Sequence, residues 1–191
     1  PVPEPDLAKA KAPEIIIAVG GPHPTYAHEH TIRKKDIDFL CRGEGEIAIL
    51  EIIDLIEGRR SDLPPGVYRM NGTVIEGSGF GSLVGKMDDL PYPDKSDYYE
   101  KVPNGRSVYT AASGRGCYNS CTFCNSPTMR THYSDEGFQF MRRRTVEDIV
   151  AEIALAKEAY NPRMVWFCDD VFIYNWRYMA EFAKQYKEHV G

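Results

Sequence analysis

The chain has 191 residues, 42% hydrophobic and 27% charged, a globular balance that argues against disorder. A formal net charge of −5 leaves no basic footprint for nucleic acid or an anionic membrane. No apolar run approaches the ~20 residues that span a bilayer, and the opening residues lack the apolar centre of a signal peptide. Five cysteines, three of them between positions 117 and 124, suit a metal site in a reducing compartment better than a disulfide framework. A cytoplasmic protein without a membrane span is the expectation.

Residues 1–13 read as an entry segment with a short helix from Asp6 to Ala12, stopped at Pro13. The apolar run from Glu14 to Gly21 predicts a strand buried on both faces, as in a parallel sheet. Pro22 to Thr25 then form a loop at its carboxyl end, where open α/β sheets hold ligands. Asp36 to Cys41 is a second strand candidate, and the Gly43–Glu46 turn leads, for packing and capping, into a helix from Glu46 to Glu57. Ile47, Leu50, Ile53 and Ile56 give that helix an apolar stripe. Val67 to Ile75 predicts a hairpin around an Asn71-Gly72 type I′ turn. Residues 77–105, rich in Gly, Pro and Asp, read as a linker with little regular structure.

A new unit opens with a short strand, Ser107 to Ala112. Thr145 and Asp148 then cap a helix whose stripe is Val146, Ile149, Val150, Ile153 and Ala156. Met164 to Cys168 is the next strand, ending in Asp169-Asp170, and a last helix runs from Asn175 to His189. Strand, loop, helix, strand, helix implies parallel βα units. Two such units cannot close a barrel. Cys41 and Cys168, inside apolar strand patterns, are expected in the core. The basic run Arg142-Arg143-Arg144 could meet an anionic substrate, but a solvated loop is the favoured account.

Between the first strand and helix of this unit lies Cys117-x-x-x-Cys121-x-x-Cys124. Three thiolates on one loop can wrap three corners of a [4Fe–4S] cube and leave one iron open to an outside ligand. A zinc-stabilised interaction domain competes with this reading, but zinc sites favour paired C-x-x-C units and four ligands. A redox disulfide would leave Cys117 unexplained.

The spacing C-x-x-x-C-x-Phe123-C resembles the radical S-adenosylmethionine (SAM) superfamily. The resemblance implies that the open iron chelates SAM, that reductive cleavage yields a 5′-deoxyadenosyl radical, and that Phe123 packs near the adenine. Further segments run in register from Ile15 to about Val190: Ala18 to Pro24, Cys41 to Glu46, Leu90 to Asp94, Ser113 to Cys117, Arg144 to Glu147 and Phe167 to Phe172. Together they resemble the cobalamin-dependent radical SAM enzymes, most of all the anaerobic Mg-protoporphyrin monomethyl ester oxidative cyclase and its relatives.

The resemblance implies an α/β fold: the later part of a Rossmann-like cobalamin-binding domain (1–78), a linker (79–105), and the first βα units of a partial TIM-type radical SAM barrel (106–191). Gly20 and Gly21 match the element where the cobalamin tail approaches, and His23 is a candidate tail contact. Asp169 and Asp170 occupy the position of the family's amine-binding Gly-Gly-Glu. The family's earlier D-x-H-x-x-G and S-x-L elements are absent, so this chain is expected to be a fragment without activity of its own. The implied function is methyl transfer or oxidative cyclisation on a small-molecule substrate, with cobalamin and an electron donor of the flavodoxin or ferredoxin kind. A cobalamin- or metal-binding module without radical chemistry is the alternative.

Overall fold

The structure, a computed structural model, describes residues 5–102, 105–135, 137–173 and 175–191. Residues 1–4 of the entry segment and 103–104 of the expected linker lie outside the described set. The chain forms two compact units, Pro1–Val84 and Gly85–Gly191.

In the first unit α1 (Pro5–Lys11) leads to β1 (Ala18–Val19), then α2 (Pro22–Tyr26), α3 (His28–Ile32), β2 (Phe39–Cys41), α4 (Glu46–Ile56) and the pair β3 (Val67–Asn71) and β4 (Val74–Glu76). The sheet order is β1-β2-β3-β4. β1 runs parallel to β2, while β2–β3 and β3–β4 are antiparallel, so the sheet is mixed. Because side chains alternate along a strand, Leu40 and Tyr68 join Ile32 and Ile37 on one face. Their neighbours Cys41 and Val67 join Ala48 and Ile52 on the other. Cys41 is thus in the core as expected, and burial pushes its thiol up to about 11, with Glu46 and Glu51 adding to the shift.

Several local expectations are corrected. β1 is only two residues long, at the edge of the sheet, and Ile15 and Ile16 precede it and are exposed, so the run is not buried on both faces. The Pro22–Thr25 loop is the start of a short helix. In α4 the buried positions are Ala48 and Ile52, whereas Leu50, Ile53 and Ile56 face solvent. That helix is apolar nearly all round, so periodicity did not single out the side on which small Ala48 approaches the sheet. In the hairpin, Asn71 pairs with Val74, making Gly72-Thr73 the two-residue loop. Gly72 has φ +59 and Thr73 is not left-handed, the pattern of a type II′ rather than a type I′ turn.

The second unit contains α5 (Ser96–Lys101), β5 (Val108–Ala111), β6 (Gly114–Arg115), α6 (Ser126–Asp135), β7 (Arg142–Arg143), α7 (Val146–Tyr160), β8 (Met164–Phe167) and α8 (Trp176–His189), with single 3-10 turns at Met87–Asp89 and Gly105–Ser107. β5 and β8 pair in parallel over four residues. Tyr109, Ala111, Val165 and Phe167 point to one face and pack with Ile149, Ile153 and Phe182 of α7 and α8. Thr145 caps α7 by accepting from Asp148 N, and Asn175 caps α8 by accepting from Arg177 N and Tyr178 N. Tyr99, in the segment read as linker, is buried in the same core, and its hydroxyl donates to Val108 O at 3.0 Å.

Two side-chain expectations fail here. Cys168 is exposed: it follows Phe167, which faces the helices, and strand alternation turns it to the opposite face. The Arg142–Arg144 run is not a solvated loop. Arg142 and Arg143 form β7 against β6, and Arg144 is buried with Glu152 and Asp148 as ion partners. Among the described residues no helix is long and apolar enough to cross a membrane.

Candidate functional site

β5 and β8 end side by side, and their carboxyl ends are tied together. Cys168 N donates to Ala111 O at 2.8 Å. Asp169 accepts from Ser113 twice, from the backbone N at 3.0 Å and from the hydroxyl at 2.5 Å. Arg143 donates to Ser113 Oγ at 3.1 Å and to Val171 O, with its guanidinium 4.9 Å from the Tyr178 ring centre. The chain then enters β6, where glycine is required: a Cβ on Gly114 would lie 2.8 Å from Arg142 O.

The cysteine loop follows directly. All three thiols are free, Cys117 half-buried and Cys121 and Cys124 exposed. A turn brings Cys124 N to Cys121 O at 3.1 Å. Cys117 Sγ accepts from Asn119 N, and Cys124 Sγ from Ser126 N, each at 3.4 Å. Hydrogen bonding from Ser126, its backbone N–H foremost, holds the Cys124 thiol below its ordinary value, while the Asp170 carboxylate opposes this. Asp170 therefore lies within electrostatic reach of the loop. Among the described residues, no three His, Cys, Asp or Glu side chains are gathered closely enough to hold a metal ion. The Phe123 ring is 92% exposed.

α6, which the sequence reading did not anticipate, supplies the loop's clamp. Arg130 donates to Cys117 O at 2.8 Å, to Asn119 O at 3.4 Å and to Ser120 Oγ at 2.9 Å. Charge-assisted bonds of this kind contribute about 1.5–3 kcal/mol each when well formed. The Arg130→Met variant is expected to speed amide exchange over residues 117–124 about tenfold or more, with exchange in α7 unchanged. Equal rates in the two proteins would show that the clamp does not hold the loop. Ser113 and Arg130 were missed as site residues, and Arg143 was set aside with its basic run. Ser113 stood in a recognisable segment, but Arg130 had no local signal.

In the first unit Gly21 caps α2 with φ +98, and a Cβ there would meet nothing within 4 Å. Gly20 backs onto Cys41, where a Cβ would make ordinary contact at 3.6 Å. His23 is exposed on α2, and Thr25 N and Oγ1 both donate to Gly21 O. The Gly-Gly element is thus an open corner, while His23 stands in the first turn of the short helix.

Residues 5–53 match the B12 binding domain family. An uncharacterized methyltransferase of Pyrococcus horikoshii is 28% identical over 95% of this chain and 39% of its own length. A cobalamin-dependent radical SAM methyltransferase of Streptomyces tokunonensis is 30% identical over 75% of this chain and 24% of its own. The anaerobic magnesium-protoporphyrin IX monomethyl ester cyclase of Synechocystis is 29% identical over 61% of this chain and 24% of its own. In fold, the chain superposes with TM-score 0.71 and 21% identity on the cobalamin-dependent S-adenosylmethionine radical enzyme OxsB, covering 97% of this chain and 26% of that one. The chain therefore spans well under half the length of these proteins. Its relatives are cobalamin-dependent radical SAM methyltransferases and the Mg-protoporphyrin cyclase, and this chain, with its B12 binding domain match, is similar to that family.

Proposed function

We propose that these residues serve a cobalamin-dependent radical SAM methyltransferase in which Cys117, Cys121 and Cys124 hold a [4Fe–4S] cluster. The observation that carries this reading is three free thiols on one clamped loop at the carboxyl end of a parallel strand pair. Their chemistry fits: three sulfur donors, two of them exposed and none in the apolar core. When bound, such a cluster supplies the electron that splits the sulfonium of SAM. Asp170, near Cys124, offers a carboxylate to the methionyl amine, while Asp169 is held by Ser113 and fixes the strand end beside it. Phe123 presents a ring for adenine. Gly20 and Gly21 leave backbone open to the cobalamin tail, with His23 beside it.

Methyl transfer is favoured because the Pyrococcus methyltransferase aligns with 95% of this chain, against 61% for the Synechocystis cyclase. Oxidative cyclisation is the second reading. Anaerobic reconstitution with iron and sulfide should load about four iron per chain. Cys117→Ala, Cys121→Ala and Cys124→Ala should each lose the cluster absorption. Stoichiometric zinc that iron does not replace would overturn the reading in favour of a zinc-stabilised domain.

A further inference from the structure

A cavity of about 480 Å³ lies in the second unit, bounded by the start of that unit, by β6 and β7, and by the segment after β8. Four cationic side chains line it: Lys86, Arg115, Arg142 and Arg143. Two carboxylates, Asp88 and Asp169, face them, so the lining carries an excess of two positive charges. Both carboxylates already accept hydrogen bonds from the protein: Asp88 from Thr145 N at 2.9 Å and Asp169 from Ser113. They hold the walls together and cancel half of the cationic charge, so an entering anion meets the remaining excess of two.

The geometry brings these cations together deliberately. β6 and β7 pair Gly114 with Arg143 and Arg115 with Arg142, which places two arginines opposite each other in a register that a Cβ on Gly114 would break. A concave wall with like charges side by side costs stability unless a counter-charge is bound. Arginine forks favour phosphate-like and carboxylate oxygens, which accept two parallel N–H bonds. Met141 and Val171 add an apolar wall. We propose that this cavity binds a small organic phosphate or phosphonate dianion, its apolar part against Met141 and Val171. The two-charge excess favours a tetrahedral dianion over a carboxylate. The proposal goes beyond the cluster reading and stands without it, since none of the three loop thiols is among the lining residues.

Methylphosphonate is the probe, titrated into the 191-residue chain at mildly alkaline pH and followed by phosphorus NMR. Saturable binding is expected. Lys86→Met, at an exposed turn position, and Arg142→Gln should each weaken it about tenfold. Arg163→Gln removes the same charge at the other end of β8 and should leave binding unchanged. Circular dichroism checks that Arg142→Gln keeps the fold, and Lys86→Met carries the test if it does not. Three outcomes overturn the proposal: no saturation, equal weakening by Arg163→Gln, or acetate competing as strongly as methylphosphonate. Iron content plays no part in this readout, so its failure and that of the cluster reading are separable.

Discussion

Glu152→Ala should destabilise the Gly85–Gly191 unit by about 3 kcal/mol, because it takes from a buried cation the nearer of its two carboxylate partners. Arg144 is 5% exposed and Glu152 3%, and their charged groups lie 2.7 Å apart. The second carboxylate oxygen of Glu152 accepts from Tyr109 OH, also at 2.7 Å. Arg144 donates further to Leu90 O at 3.2 Å and pairs with Asp148, which accepts from Tyr92 OH at 3.0 Å. Removing Glu152 thus leaves one guanidinium and one phenol inside the core with a main acceptor gone. Amide exchange at Ile149, Val150 and Ile153 of α7, buried in this unit's core, follows its unfolding in urea. The double variant Arg144→Met with Glu152→Leu should recover most of the loss, as replacing both partners of a buried pair often does. A single-variant loss below about 1 kcal/mol would mean that water reaches the pair.

The same network has a pH signature. Burial, together with the hydrogen bond and charge of Glu152, holds the Tyr109 hydroxyl well above the ordinary tyrosine value. Its folded pKa exceeds its unfolded one, so its contribution is fully present below about pH 10 and is lost as pH rises beyond that.

What could be read from the residues, and what could not, follows from where each signal resides. α7 carries its own instructions: a capping threonine, Asp148 in place to donate its amide, and a stripe at helical spacing that the structure buries. β5 and β8 read as strands because their inward residues are apolar, and their parallel pairing followed from the helix between them. Arg144 was misjudged because a run of three arginines looks solvated, and its partner Glu152 lies eight residues on, within α7. β6 and β7 are two residues each and exist only through pairing with each other. α6 has no apolar stripe to announce it. Its packing rests on Tyr133, fully buried against Phe140 at 5.8 Å between ring centres. The cysteine spacing was plain in the sequence, but the clamp from Arg130 was not, since it depends on how α6 folds back over the loop.

Gly66→Ala is expected to disrupt the first unit by about 2–5 kcal/mol, through two separable costs. Gly66 has φ +78, where a side chain adds about 1–2 kcal/mol of strain. A Cβ there would also lie 1.9 Å from Gly81 N and 2.4 Å from Gly81 Cα, atoms of backbone that cannot rotate away, an overpacking cost of about 1–3 kcal/mol. Three backbone bonds cross at this point: Arg42 N to Gly66 O, Gly66 N to Ser78 O, and Gly81 N to Arg42 O. Moving the 78–81 strap would uncover Phe80, whose ring lies 4.1 Å from the Arg42 guanidinium. Arg42 in turn donates to Thr25 O at 3.0 Å and so steadies α2, which begins at the Gly21 corner and carries His23. Gly58→Ala is the control, since Gly58 has φ +71 but open space around it, and it should cost only the strain. Amide exchange at Cys41, Arg42 and Thr25 measures both variants. If Gly58→Ala and Gly66→Ala protect these amides equally, the strap does not brace the corner on which the proposed cobalamin contact depends.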